Sequence, residues 1–117
     1  MQKIIIYSSS LCMQALLEGL LYDCGAEVCV ATSRQNLFER CAAERFDKVI
    51  VGDVSLFVQG CDMVERLRSN GGCEPEILVC APDVTEECVV SLLERGVNQY
   101  ISLPTAPTRL RRKVFGV

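Results

Sequence analysis

The sequence of 117 residues predicts a single α/β domain, in which helices cover both faces of a five-stranded parallel sheet. Two observations indicate this fold class. Five short apolar runs alternate with five stretches of helical periodicity, which is typical of parallel sheets buried on both faces. Half of the residues are apolar. A chain of this size buries roughly 65% of its unfolded surface in one core, so a second domain would not fit.

The predicted strands are the short apolar runs. They span residues 3–7, 27–31, 48–52, 76–80 and 98–102. In parallel sheets of this kind, ligands collect at the edge formed by the carboxyl ends of the strands. We expect that edge to hold Ser8, Ser9, Asp53, Cys80 and Leu103.

The first two helices are predicted from apolar residues that recur at three- and four-residue steps. The first follows the opening strand and stops at Gly25, where a left-handed cap is expected. The second begins after Thr32 or Ser33 as its N-cap and carries Leu37 and Cys41 inward.

Three further helices are predicted after the third, fourth and fifth strands. One follows Gly60, and another begins at Thr85 and ends before Gly96. Pro104 and Pro107 bracket the start of the last helix.

Charge and hydropathy argue against two classes of partner. The net charge of −3 and the pI of about 4.9 would repel a nucleic-acid backbone. No apolar run approaches the roughly 18 residues of a membrane helix. Because the first residues lead directly into a strand pattern rather than a signal peptide, we expect a cytoplasmic protein.

The eight cysteines do not indicate a metal site or a disulfide framework. They include no CxxC pair, and the chain contains no histidine, so a structural zinc site is not expected. Most lie at positions that the apolar pattern places inside, where a thiol behaves as a small hydrophobic group. We expect reduced thiols.

Three segments resemble the receiver domain of bacterial two-component response regulators. They are Lys3 to Gly25, Val49 to Asp53, and Gly96 to Pro104. The resemblance covers nearly the whole chain and keeps the element order and spacing of the family. It implies a flavodoxin-like sheet of order 2-1-3-4-5 and a role in two-component signal transduction and phosphorelay, without enzymatic activity.

The resemblance also implies which residues occupy the phosphorylation site. Receiver domains hold Mg²⁺ with an acidic pair after the first strand and phosphorylate an aspartate after the third. A Ser or Thr after the fourth strand and a Lys after the fifth complete the site. Carried over residue by residue, the phosphoacceptor is Asp53, but the acidic pair falls on Ser8 and Ser9, the hydroxyl on Cys80 and the lysine on Leu103.

These replacements predict a degenerate receiver, or pseudo-receiver, with no catalytic residue and no metal site. Serine hydroxyls bring no charge to Mg²⁺, so we expect binding of that ion to be weak or absent. Leu103 cannot supply the positive charge that phosphoryl transfer requires. Asp53 is then either a residual phosphoacceptor or an aspartate that stabilises a turn after the strand.

The expected interaction surface follows from the same resemblance. Tyr100 matches the aromatic residue that switches rotamer in the family, and it is alternatively a packed strand tyrosine. In receivers, the face formed by the fourth helix, fifth strand and fifth helix docks output domains or forms homodimers. Here it would include Tyr100, Arg109, Arg111 and Arg112, although such a basic run is commonly a solvated helix face.

Two alternatives from other classes remain open at this point. One is a phosphorylatable receiver with an atypical metal site. The other is a flavodoxin-like domain that binds a small ligand or carries phosphate, for which the loop Ser8–Ser10 at a helix N-terminus is the candidate site.

Overall fold

One parallel sheet forms the centre of the molecule. The computed structural model describes residues 3–21, 25–52, 67, 75–82, 85–103, 109 and 112. The strands are β1 (Lys3–Tyr7), β2 (Glu27–Val30), β3 (Lys48–Val51), β4 (Glu76–Pro82) and β5 (Gln99–Leu103). Their order is β2-β1-β3-β4-β5 and every pairing is parallel, which confirms the predicted sheet.

The first strand has the predicted bounds, and the ends of the other four differ from the prediction by one or two residues. The largest difference is in β4, which was predicted to end at Cys80 but continues to Pro82. It continues because Ala81 and Pro82 still pair with Ser102 and Leu103 of the neighbouring strand. A pairing of this kind depends on a distant strand, so the local apolar run does not reveal it.

Three helices are described, each with a hydroxyl N-cap. They are α1 (Leu11–Leu20), α2 (Arg34–Ala43) and α3 (Glu86–Glu94), which correspond to the first, second and fourth predicted helices. The caps are Ser10, Ser33 and Thr85, and each side chain accepts a hydrogen bond from a backbone N–H of the first turn. The structure therefore selects Ser33 over Thr32 as the cap of α2.

The first helix ends earlier than predicted. Helical geometry stops at Leu20, and the backbone N–H of Leu21 donates to the carbonyls of Leu17 and Gly19. Gly25 has a φ of 82°, the left-handed conformation expected there. Most of the third and last predicted helices lies outside the described residues, although Leu67, Arg109 and Arg112 are helical.

The core consists of two apolar layers, one on each face of the sheet. Alternation along β1 sends Ile4 and Ile6 to one face and Ile5 and Tyr7 to the other. The first layer is completed by α1 and the second by α2 and α3. The helix residues that fill them are Leu17 and Leu21 in the first layer, and Leu37, Cys41 and Leu92 in the second.

Five cysteines lie among the described residues, and none of the five is in a disulfide. Cys41 and Cys80 are buried as expected, whereas Cys29 and Cys88 are half-buried and Cys12 is exposed. None of the described helices is long and apolar enough to cross a membrane.

Polar contacts join the opposite, amino-terminal ends of the strands. Lys48, at the start of β3, is buried, and its Nζ lies 2.7 Å from Oε2 of Glu76, at the start of β4. The amide of Gln99, at the start of β5, donates to the other oxygen of Glu76 at 3.0 Å. These contacts tie three neighbouring strands together where they begin.

A second group of charges links β1 to α2. Nζ of Lys3 lies 2.6 Å from Oε1 of Glu44, and Nε of Arg40 lies 3.1 Å from Oε2. These two hydrogen bonds hold the pKa of the Glu44 carboxyl below its ordinary value of 4.5. The bond from Lys3 has the larger effect, and the bond from Arg40 has the next largest. Both cations also lie over the ring of Phe46.

We predict that the contacts of Glu44 make folding stability depend on pH in the acid range. A carboxyl whose pKa is lower in the folded chain stabilises the fold above its unfolded pKa, and this contribution is lost as the pH falls through the folded pKa. The free energy of unfolding, measured by urea denaturation at several pH values, should therefore fall below pH 4.5, and Glu44→Gln should reduce that slope.

Glu18, which is exposed on α1, provides the matched control. Glu18→Gln should leave the acid slope as it is in the wild type. Equal effects of the two substitutions would contradict the assignment.

Candidate functional site

The loop after β1 is built around Ser8. Its side chain is buried, with 1% of the residue exposed, and its Oγ accepts a hydrogen bond from the backbone N–H of Ser10 at 3.1 Å. Ser9 is exposed, and Ser10 is the N-cap of α1. Of the two serines predicted at the acidic-pair positions, one is therefore packed inside and the other faces solvent.

Gln14 fastens this loop to the sheet. Its side-chain amide donates to the carbonyl of Ser8 and also reaches the carbonyl of Ala31, just after β2, at 3.4 Å. The amide thus spans the carboxyl ends of β1 and β2. Sequence reasoning missed this residue, although a polar side chain three residues before the buried Leu17 was a usable signal.

Gly52 brings the end of β3 against the same loop. Its backbone N–H donates to the carbonyl of Tyr7 at 2.8 Å. A Cβ added at Gly52 would lie 2.8 Å from Cγ of Met13 and 3.0 Å from Cβ of Ser8, distances too short for carbon atoms. Any larger residue directly before Asp53 would therefore force Met13 or Ser8 to shift. Asp53 itself, the predicted phosphoacceptor equivalent, lies outside the described residues.

Cys80 lies in the core rather than at the solvent edge. It is fully buried in the apolar layer that contains Ile6, Ile50 and Ile101. The prediction that Cys80 ends its strand is wrong, because β4 continues two residues further. Its thiol is thus surrounded by the layer on the α1 side of the sheet.

The fifth strand carries two predicted site residues. The backbone of Leu103 pairs with Pro82 at the end of the sheet, and the Leu103 side chain lies outside the described residues. Tyr100 is half-buried against the second apolar layer, and its hydroxyl donates to the carbonyl of Ala81 at 2.9 Å. Tyr100 is therefore a packed tyrosine whose polar end is hydrogen-bonded to the neighbouring strand.

The basic residues near the carboxyl terminus are partly described. Arg109 and Arg112 are exposed in helical backbone, whereas Arg111 lies outside the described residues. On α3, which packs beside β5, Val90 and Leu93 are also exposed. Because α3 and Tyr100 both contact the second apolar layer, α3 lies on the same face of the sheet as the side chain of Tyr100.

Comparison with known proteins supports the receiver resemblance. No protein-family model matches the chain. The chemotaxis protein CheY1 of Helicobacter pylori is 27% identical over 115 residues, which cover 96% of this chain and 93% of CheY1.

Solved structures agree on the fold. A response regulator from Thermotoga maritima superimposes with a TM-score of 0.82 at 19% identity and covers 97% of this chain and 93% of its own. NtrX from Brucella abortus gives a TM-score of 0.79 at 18% identity over 97% of this chain, which spans 25% of NtrX. The chain has the flavodoxin-like fold of CheY-like receiver domains, as the sequence predicts.

We predict that Gly52→Ala destabilises the domain by about 1–3 kcal/mol, the usual cost of overpacking. The reason is the close approach of Met13 and Ser8 to the added methyl group. Urea denaturation would measure the loss. Met13→Ala in the same chain should recover part of this loss, because it removes the nearest atom.

Gly19 provides the control, since a Cβ there meets nothing within 4 Å. If Gly52→Ala were as stable as Gly19→Ala, the described packing of this edge would be wrong.

Proposed function

We propose that the chain is a degenerate receiver domain in two-component signalling that acts by protein–protein interaction, largely independently of aspartyl phosphorylation. The observation that carries this proposal is the end of β1, where a buried serine and an exposed serine stand in the places of two carboxylates. The proposal includes a cytoplasmic location and assigns no catalytic residue.

The two donors that the structure describes after β1, Ser8 and Ser9, do not fit Mg²⁺. That ion requires near-octahedral oxygen ligands and is usually bound through one or two carboxylates together with phosphate oxygens. Ser8 and Ser9 contribute neutral hydroxyls, and the hydroxyl of Ser8 already accepts a hydrogen bond from its own loop. We therefore propose that Mg²⁺ binding is weak or absent.

The groups that would stabilise a transferring phosphoryl group are also replaced. Leu103 has no ammonium, and the thiol of Cys80, a weak hydrogen-bond donor, is buried in an apolar layer. Each such loss costs on the order of 2–4 kcal/mol of transition-state stabilisation, by comparison with the removal of single donors from other active sites. Together these losses support a domain in which Asp53 is phosphorylated negligibly.

A domain that is not phosphorylated has no phosphoryl group to shift it between two states. The hydrogen bond from Tyr100 to Ala81 supports one constitutive conformation, because it fixes the aromatic residue that the receiver resemblance marks as a switch. A partner would then bind the surface in this one conformation.

The surface that we propose for the partner contains Tyr100, Arg109, Arg112 and, beside β5, the exposed apolar residues of α3. Arg111, which lies outside the described residues, belongs to the same basic run. Apolar side chains provide area to bury, and the arginines would steer an acidic partner or output domain.

We predict that Mg²⁺ and beryllofluoride, a mimic of the phosphoryl group, produce no saturable change at the carboxyl edge of the sheet. The physical reason is the neutral donor set around Ser8. Amide NMR spectra of the wild-type domain, recorded at millimolar Mg²⁺ with and without beryllofluoride, would check it. A saturable shift of the amides of Ser9 and Gly52 would instead favour a phosphorylatable receiver with an atypical metal site.

A small-ligand or phosphocarrier function is tested in the same spectra. Inorganic phosphate and a flavin mononucleotide are the probes, and the loop Ser8–Ser10 is the site to observe. Saturable binding of either probe at this loop would replace the receiver proposal.

We predict that charge reversal at Arg109 and Arg112 abolishes capture of a partner protein, while Asp53→Ala leaves capture intact. Both arginines are exposed, so Arg109→Glu with Arg112→Glu should preserve the fold. The measurement is a pull-down with the wild-type domain and both variants at low and high salt. If capture were instead lost only in Asp53→Ala, the function would belong to the region of Asp53 and not to the arginines.

A further inference from the structure

Met13, in the first turn of α1, links the first apolar layer to the carboxyl edge of the sheet. Its side chain is half-buried and packs against the layer that contains Ile6 and Ile50. Its Cγ also lies over the backbone of Gly52, 2.8 Å from the point that a Cβ there would occupy. The side chain of Met13 therefore completes an apolar contact at the edge and is still partly open to solvent.

The thioether sulfur of Met13 is a group that a peroxide can change chemically. Hydrogen peroxide transfers one oxygen atom to the sulfur, so that an S–O bond forms and the O–O bond breaks. The remaining hydroxide takes up a proton and leaves as water. The sulfur is oxidised by two electrons and the peroxide is reduced. The product, methionine sulfoxide, is polar, and reductases convert it back to methionine.

Three backbone N–H groups of this edge already have acceptors. Those of Ser10 and Met13 donate to the hydroxyls of Ser8 and Ser10, at 3.1 and 3.3 Å. That of Gly52 donates to the carbonyl of Tyr7 at 2.8 Å. A sulfoxide oxygen that stayed in the contact would compete for one of these donors or be buried without one, and either outcome costs free energy. The oxygen reaches water when the side chain turns outward.

We propose that Met13 is a redox-sensitive switch of the carboxyl edge. A peroxide converts it to the sulfoxide, the side chain then leaves Gly52, and the space beside that glycine opens. A methionine sulfoxide reductase restores the closed edge. The switch needs neither Mg²⁺ nor a phosphoryl group, so the inference stands beside the proposed function and does not depend on it.

Hydrogen peroxide applied to the folded full chain tests the proposal, with peptide mass spectrometry and amide NMR as the two measurements. Met13 should gain one oxygen atom, and the amide signals of Ser8 and Gly52 should shift as the sulfoxide accumulates. A methionine sulfoxide reductase should reverse these shifts. A Met13 that resists oxidation in the folded chain, or a sulfoxide that leaves both amides unchanged, overturns the proposal.

Met13→Leu is the matched control for the oxidation. It keeps an apolar side chain of similar volume and all eight cysteines, but it has no sulfur at this position. Peroxide should leave the amides of Ser8 and Gly52 unchanged in this variant. If they shifted as in the wild type, the effect would belong to the cysteines or the other methionines, and the proposal would be wrong.

A second experiment needs no oxidant. Met13→Gln places a polar side chain of similar length at the edge, so it should turn outward as the sulfoxide does. Gly52→Ala should then lower the midpoint of urea denaturation less in the Met13→Gln chain than in the Met13→Leu chain. An equal decrease in the two chains overturns the proposal. Capture of a partner protein by the wild type, which tests the proposed function, does not depend on either result.

Discussion

The structure depends on β1, the strand that pairs with both β2 and β3. Ile4, Ile5 and Ile6 are fully buried, and they alternate between the apolar layers on the two faces of the sheet. Both layers and three strands therefore share this one segment. Its burial also determines where the chain emerges, because the residue after Tyr7 must enter a crowded edge already bounded by β3 and α1. This is the reason that Ser8 is buried while Ser9 is exposed.

Among the residues that the structure describes, the carboxyl edge of the sheet is packed by neutral groups. Ser8, Met13 and Gly52 are in close contact, and the amide of Gln14 spans the ends of two strands. The charged contacts described here lie instead at the amino ends of the strands and on α2, around Glu44 and Glu76. These described contacts support the proposal that the domain acts by binding. A fold of this class can keep its architecture while the chemistry at its edge changes.

Much of the fold could be predicted from the sequence because its signals are local. The apolar runs locate the strands, and hydroxyl residues before helical periodicity place an N-cap at Thr85 and at Thr32 or Ser33, of which the structure selects Ser33. The order of the strands was expected only from the receiver resemblance. What local patterns could not supply are contacts between distant segments. Examples are the extension of β4 alongside β5 and the pairing of Lys3 with Glu44.

The candidate site was predictable in its residue types but only partly in its geometry. The identities of Ser8, Ser9 and Leu103 can be read from the sequence, yet burial distinguishes the two serines only in the folded chain. Gln14 and Met13 were missed because their roles arise from how α1 lies across the sheet. Cys80 was placed at the edge, but the core contains it, since its strand is longer than the apolar run suggested.

The proposed function requires that this edge has lost phosphotransfer chemistry through the identities of a few side chains. Intact-mass spectrometry after incubation with acetyl phosphate and Mg²⁺ tests it most directly. The comparison is between the wild type and a variant that carries Ser8→Asp, Ser9→Asp and Leu103→Lys. We expect no mass increase in the wild type and a phosphoryl adduct, abolished by Asp53→Ala, in the variant. A wild-type chain that acquires one phosphoryl group on Asp53 would contradict the account.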